Sequence, residues 1–262
     1  MKRISGLLPM LLLLFVGCQT ANDTLPQFEM PVVLQPELLG GKTPAALRVD
    51  SIRGVWPQLV GRFQFAKHLE LNKPDSLGAD KYYLDSGQPF HGADTLNTDG
   101  LELIADYQST TAYRNYSELL TRLAYPVYIV NSTPRTKLLC GKDFSVYAIQ
   151  EAKDRTGEWR PIESRGPEPC GNGAWIMKIR PRQMAVLLFD KYQGCFKTML
   201  RVRLRNGNSQ YTSVAYEGWI SETQFLATQQ ERRLLKKNNL AVSALYYGAW
   251  PAVLDTLVNR AN

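Results

Sequence analysis

Three acidic side chains suited to acid–base chemistry stand close together in the chain, Asp99, Glu102 and Asp106. A pair of such carboxylates can act as acid and base on a glycosidic bond, which keeps a glycan hydrolase open as an interpretation. The only histidines are His68 and His91, which speaks against a catalytic metal site with several histidine ligands. No serine lies in a G-x-S-x-G nucleophile motif. The sequence therefore favours a non-catalytic protein and identifies no catalytic residue.

The run Thr95-x-Asn97-x-Asp99-Gly100, followed by Asp106, partly follows the spacing of an EF-hand calcium loop. Threonine occupies the position of the first acidic ligand, and aspartate occupies the position of the final glutamate. The residues after the run alternate like a strand rather than a helix. We therefore interpret it as an Asp-Gly turn that enters a strand, and we predict no metal and no other cofactor.

The cysteines could form a disulfide if the protein is exported. The four are Cys18, Cys140, Cys170 and Cys195, and none has the C-x₂-C spacing of a zinc ribbon. If Cys18 is modified, the other three allow three single pairings, which the sequence leaves open. The predicted strand order puts all three in connections at one end of a β-sandwich, with Cys140 before a strand.

The N-terminus reads as an export signal rather than as part of the fold. Lys2 and Arg3 precede a mostly apolar run of 13 residues, 4–16, which is shorter than the about 20 residues of a membrane-spanning helix. A basic start followed by a short apolar run is typical of a secretory signal peptide.

The end of this segment, Phe15-Val16-Gly17-Cys18, resembles the lipobox of bacterial lipoproteins, with Phe15 where leucine is commoner. The resemblance implies that residues 1–17 are removed and that Cys18 becomes a lipidated first residue. Gln19 follows the cysteine where aspartate would indicate inner-membrane retention, so the resemblance favours the outer membrane. Residues 18–29 then form a polar tether.

Charge is divided unevenly along the rest of the chain. The net charge is +7, and removal of Lys2 and Arg3 with the signal leaves +5. Residues 18–125 carry 9 basic and 13 acidic side chains, whereas residues 126–262 carry 20 and 11. A basic second half favours an anionic partner. For an exported protein we expect an envelope glycan, lipopolysaccharide or another envelope protein rather than nucleic acid.

The most specific basic pattern lies in one predicted strand, 196–205. Lys197, Arg201, Arg203 and Arg205 alternate with apolar residues, so they should form a basic stripe on the outer face. We predict that any part of this stripe not neutralised by an acid across the sheet binds an anionic ligand, because arginine suits phosphate and carboxylate groups. The alternative is a solvated face without a partner.

The elements that position these residues are mainly strands. Residues 30–125 contain strand-like pieces between turn-rich loops, with a short helix predicted at 115–124. Residues 126–220 show about seven short strands, which predicts an immunoglobulin-like or fibronectin-like β-sandwich. Residues 221–262 should form a helical segment, with a capping box of Ser221 and Gln224 and a final helix at 251–259.

Several short motifs resemble a recurrent domain of bacterial surface lipoproteins of unknown activity. They are Tyr125–Asn131, Ile149–Ala152, Trp159–Glu163, Cys170–Asn172, Tyr192–Gly194, Lys197–Thr198, Arg201, Glu217–Gly218 and Gln224–Phe225. The resemblance covers residues 100–226, implies a structural role for these motifs and carries over no activity. Together these features predict a non-catalytic lipoprotein of the outer membrane, which faces either the periplasm or the cell surface. The alternative is an envelope hydrolase with a carboxylate-based site in residues 30–125.

Overall fold

The computed structural model describes residues 27–34, 44–71, 81–83, 98–115, 120–166, 173–237 and 244–251. The predicted signal peptide, Cys18 and most of the predicted tether lie outside these ranges. The prediction of a mainly β protein is confirmed, since strands far outnumber helices among the described residues. No helix in these ranges is both long and apolar enough to cross a membrane.

The described elements, in chain order, are β1 (Val32–Leu34), β2 (Arg53–Val55), β3 (Gln58–Gln64), β4 (His68–Glu70), β5 (Lys81–Tyr83), β6 (Glu102–Ala105), β7 (Thr111–Asn115), β8 (Leu120–Asn131), β9 (Lys137–Lys142), β10 (Ser145–Val146), β11 (Ala148–Lys153), β12 (Trp159–Pro161), β13 (Glu163–Arg165), β14 (Ala174–Ile179), β15 (Gln183–Asp190), β16 (Phe196–Asn206), β17 (Ser209–Thr212), β18 (Tyr216–Ile220), a 3₁₀ turn (Glu222–Phe225) and helix α1 (Gln229–Lys237).

The central sheet has the order β3-β15-β8-β6, and β7 also pairs with β8. All eight residues of β15 are buried, because both faces of this sheet are covered. Val127 and Leu187 pack in the main core on one face, whereas Tyr128 and Met184 pack on the other face. A strand covered on both sides is continuously apolar instead of alternating.

The predicted N-terminal region and the predicted sandwich share this central sheet. β3, β6 and β7 come from the first region and pair with β15 and β8. β8 itself runs through the predicted boundary between residues 125 and 126.

A second sheet, ordered β12-β11-β16-β17 with β18 also on β16, packs against the central one. Val202 and Leu204 of β16 share the main core with Val127 and Leu187. A third sheet, ordered β10-β9-β14-β5, closes the same core through Leu139 and other apolar side chains. Sheets packed face to face are consistent with a β-sandwich. The immunoglobulin-like topology stays a prediction.

Two local predictions are wrong. In the helix predicted at 115–124, residue 115 instead ends β7 and residues 120–124 begin β8, because pairing of β8 with β7 and β15 overrides the local helical pattern. Residues 116–119 lie outside the described residues. Ser221 does not cap an α-helix, since its side chain makes no capping hydrogen bond and only a 3₁₀ turn follows it.

The α-helix of this region begins later, with a different capping box. The backbone N–H of Glu231 donates to the Thr228 hydroxyl oxygen at 3.2 Å. The Glu231 carboxylate accepts the Thr228 backbone N–H at 2.7 Å, which completes the reciprocal pair. Leu235 of α1 then packs with Ile149 of β11, so the C-terminal segment covers part of the outer face of the second sheet. The predicted helix at 251–259 lies, except for Pro251, outside the described residues.

Candidate functional site

The predicted basic stripe lies on β16 as expected. Val202 and Leu204 are buried, while Arg201, Arg203 and Arg205 between and beside them are partly exposed. This alternation confirms the strand and its faces. Lys197 is the most exposed of the four basic residues, with about half of its side-chain surface accessible.

Acidic residues on neighbouring strands neutralise much of the stripe. Glu151 of β11 has a side chain only 1% exposed, and its two oxygens accept the Nε–H groups of Arg201 at 2.6 Å and Arg203 at 2.8 Å. Glu217 of β18 pairs with Lys197 at 2.7 Å. One buried carboxylate therefore holds two arginines in place. Binding of an anionic ligand by the stripe stays a prediction, and these pairings reduce the positive charge that the stripe could offer to a ligand.

An aromatic ring adds to this arrangement. The Arg201 guanidinium lies 4.1 Å from the ring centre of Trp159 on β12, which is a cation–π contact. Arg205 donates from Nε to the carbonyl oxygen of Gly207 at 3.4 Å. The arginines are thus held by contacts within the second sheet and its hairpin, and they are not long side chains free in water.

A cluster of titratable and polar side chains lies inside the molecule, at a place where the sequence predicts no site. We call it the buried polar cluster, and its members are Arg53, Tyr113, Arg122, Gln150, Glu163, Asp190, Tyr192 and Tyr216. The cluster connects the central sheet to the second sheet and to the parallel pair of β2 and β13.

Glu163 occupies one half of the cluster. Its Oε2 accepts the backbone N–H of Gln150 at 2.7 Å, and its Oε1 accepts the Gln150 side-chain amide at 2.9 Å and the Tyr192 hydroxyl at 2.6 Å. The Ile162 N–H still donates to the Gln150 carbonyl, but the Ile162 carbonyl turns to the backbone N–H of Arg53. The Glu163 carboxylate therefore replaces a strand carbonyl at the point where β12 leaves β11.

Asp190 occupies the other half. Its Oδ2 accepts hydrogen bonds from Arg122 at 2.9 Å and from Arg53, and its Oδ1 accepts the Tyr113 hydroxyl at 2.6 Å. The Asp190 backbone carbonyl accepts the Gln150 amide at 2.9 Å, which joins the two halves. A buried acid with two guanidinium partners is compensated in charge, as a stable interior requires.

Burial raises the pKa of Glu163 to about 7, although the hydrogen bonds from Tyr192 and Gln150 oppose that shift. Burial also raises the pKa of Tyr192 well above its ordinary value, and the nearby Glu163 and Asp190 add to this effect. The cluster thus contains one acid that exchanges a proton near neutral pH. It lies in the interior, where its hydrogen-bond partners are all protein groups of the cluster.

The carboxylates considered for hydrolysis have separate roles. Asp99 forms a salt bridge with Lys137 at 2.7 Å, and Glu102 is exposed on β6. Asp106 is buried, and its Oδ1 accepts the backbone N–H groups of Gln108 and Ser109, which is an Asx turn.

Of the other residues weighed for chemistry, His68 is exposed on β4. His91, Thr95 and Asn97 lie outside the described residues. Within the described ranges, no group of three or more histidine, cysteine or acidic side chains is arranged to hold a metal ion.

Cys140 and Cys195 are free thiols, the first buried and the second exposed. Cys140 lies inside β9, so its predicted place before a strand is wrong, because β9 pairs with β14 directly through this residue. Burial raises the pKa of the Cys140 thiol to about 12. Because both of these thiols are free, Cys140 and Cys195 form no disulfide with each other, and Cys170 and Cys18 lie outside the described residues.

A cavity of about 360 Å³ lies between α1 and the parallel pair of β2 and β13. Arg165 and Gly166 line it on the strand side, and Glu231 and Leu234 line it on the helix side. The sequence carried no signal for it, since its walls come from segments more than 60 residues apart.

Several motif residues that resemble the surface-lipoprotein domain meet in these clusters. Gln150, Glu163 and Tyr192 bind one another, and Trp159 contacts Arg201 beside Glu151. A side chain at Gly194 would place its Cβ 2.1 Å from the Ile220 backbone, so the chain needs glycine there. These contacts join strands of the fold, and the resemblance itself stays a prediction.

Comparison of the chain with protein-family models, curated proteins and solved structures finds no match.

Proposed function

We propose that this protein is a lipid-anchored outer-membrane protein whose β body is a non-catalytic binding or structural module of the cell envelope. The observation that carries the proposal is the sequence Phe15-Val16-Gly17-Cys18 at the end of a short apolar run with a basic start. Several acyl chains on one cysteine anchor a protein firmly, because each buried CH₂ group adds about 0.8 kcal/mol.

The use of charge in the body supports a structural or binding role. Inside the fold, the carboxylate oxygens of Asp190, Glu163 and Glu151 accept hydrogen bonds from arginine, glutamine and tyrosine side chains. The Asp106 carboxylate accepts a backbone N–H of the turn that follows it. These acids build the architecture, whereas a glycosidase needs two carboxyl groups that face one substrate.

For the partner, we propose an anionic envelope component, either a glycan, lipopolysaccharide or an acidic envelope protein. The support is the excess of basic residues in 126–262, where 20 basic side chains stand against 11 acidic ones. Exposed basic charge raises the rate and affinity of association with anions. Lys197 is the most accessible member of the stripe, and it pairs with the exposed Glu217.

The anchor is tested by expressing the full chain and its Cys18→Ser variant in a bacterium fed with radiolabelled palmitate. We expect the wild type to incorporate label, to begin at Cys18 by mass spectrometry and to fractionate with outer membranes. The variant should incorporate no label and leave that fraction. Cys195→Ser is the matched control, because Cys195 is an exposed free thiol of the body, and it should behave as the wild type does.

A Cys18→Ser protein that takes up as much label as the wild type contradicts the proposal. A wild-type N-terminus at any residue other than Cys18 contradicts it as well.

A further inference from the structure

Strand β1 and the residue two positions before it expose three large apolar side chains at alternate positions. Met30 is 48% exposed, Val32 59% and Leu34 42%. They occupy every second position, and Pro31 between them is buried. Val33 packs into the core beside Leu69. Because strand side chains alternate between faces, the three form one stripe, which we call the β1 stripe.

The β1 stripe differs from the other exposed large apolar residues of the described chain. Those residues occur one at a time along the sequence, and single exposed apolar residues are normal on protein surfaces. They are Phe144, Val214, Trp219, Leu226, Leu234 and Trp250.

The position of the β1 stripe in the chain determines what lies near it. Cys18 precedes Met30 by 12 residues, and a fully extended chain of that length spans about 40 Å at most. A lipid on Cys18 therefore confines the stripe to a thin layer next to the membrane. Confinement of this kind raises the effective concentration of a weak binding surface.

We propose that the β1 stripe rests on the phospholipid surface that holds the anchor, and that it orients the body there. This inference rests on the proposed function, since it needs the lipid on Cys18. Of the charged neighbours that are exposed, Glu29 and Glu70 are acidic and Lys67 is basic. These charges give no net attraction to anionic headgroups, so the contact is a shallow apolar one.

The test uses the full lipidated protein in vesicles of phosphatidylethanolamine and phosphatidylglycerol, prepared with or without brominated acyl chains. Bromine quenches tryptophan fluorescence on contact. Val32→Trp places a reporter in the β1 stripe, and the wild type supplies the background of its five tryptophans. Phe144→Trp is the matched control, because Phe144 is 83% exposed in a turn outside the stripe.

We expect brominated lipid to reduce the fluorescence added by Val32→Trp at least about twofold and to leave that added by Phe144→Trp unchanged. Equal quenching of both reporters, or none at Val32→Trp in sedimented protein, overturns the proposal. Failure of the anchor is seen separately, because a chain without lipid stays in the supernatant when the vesicles are sedimented.

Discussion

Single buried acids determine much of the chemistry of this protein. Glu163 and Glu151 are both nearly inaccessible, yet their surroundings differ. Glu151 pairs with two arginines, whereas the direct hydrogen-bond partners of Glu163 are the uncharged groups of Gln150 and Tyr192. Burial outweighs the hydrogen bonds from these uncharged groups, and the charge of the nearby Asp190 adds to the effect, which explains the raised pKa of Glu163.

The raised pKa of Glu163 predicts a pH-dependent stability. Between pH 4.5 and about 7 the folded state keeps a proton that the unfolded state has released. The free energy of unfolding should therefore fall as the pH rises through this window, by about 3 kcal/mol, and should level off above it. Glu163→Gln cannot titrate, so urea unfolding at pH 5, 6, 7 and 8 should show no such loss.

The control is Glu102→Gln, which changes an exposed glutamate on β6. Its stability should follow the wild type at every pH. If the free energy of unfolding changed with pH in the same way for Glu163→Gln and the wild type, Glu163 would not be the group that binds the proton.

At the scale of elements, helix α1 shows how weak a capping signal is without tertiary packing. Ser221 with Gln224 and Thr228 with Glu231 have the same spacing, but only the second pair forms the box. Gln224 is buried and donates to the Ile162 carbonyl at 3.4 Å, so it is turned away from Ser221 and towards the sheet. Packing against the sheet thus selects the later start.

The two candidate caps give a direct comparison. Thr228→Ala removes the hydroxyl that accepts the Glu231 N–H, and it should lower the free energy of unfolding by about 1 kcal/mol. Ser221→Ala removes no capping bond, and because the buried Ser221 hydroxyl has no hydrogen-bond partner among the described residues, the change should not lower the free energy of unfolding. Chemical denaturation of both variants measures the difference, and an equal loss in the two would place the cap elsewhere.

For the whole molecule, the central sheet joins the two halves of the chain. Its strands β3, β6 and β7 precede residue 120, and β15 follows residue 180. Arg53 and Arg122 bind Asp190 across the same divide, and Asp99 binds Lys137. These contacts tie the acidic first half to the basic second half. Of these pairs, Asp99–Lys137 offsets the charge asymmetry, whereas Arg53 and Arg122 belong to the acidic half and Asp190 to the basic half.

A shared sheet predicts that the halves do not fold separately. A chain of residues 126–262 lacks β3, β6, β7 and the first part of β8, which leaves β15 without one partner strand. We expect it to show no cooperative urea transition and no native near-ultraviolet circular dichroism. Residues 27–262 retain every described strand and should unfold in one transition. A cooperative transition in 126–262 would contradict this view.

The sequence alone determined the strands whose pattern is local. The alternation in 196–205 predicted β16 and its faces. The run Asn206-Gly207-Asn208 has the local composition of a hairpin turn, and it joins β16 to β17. Gly207 has a φ of 59°, the left-handed conformation that such a turn needs. These features follow from periodicity and turn chemistry, which act within a few residues.

Tertiary structure alone decided the partners of the charged residues. Glu151 lies 50 residues from Arg201, and Arg53 lies 137 residues from Asp190. Local pattern says which face a side chain takes, but not which strand will stand opposite or which surface another segment will cover. The pKa of Glu163 and the partial neutralisation of the basic stripe on β16 depend on those long-range pairings, because desolvation and Coulomb attraction act through space rather than along the chain.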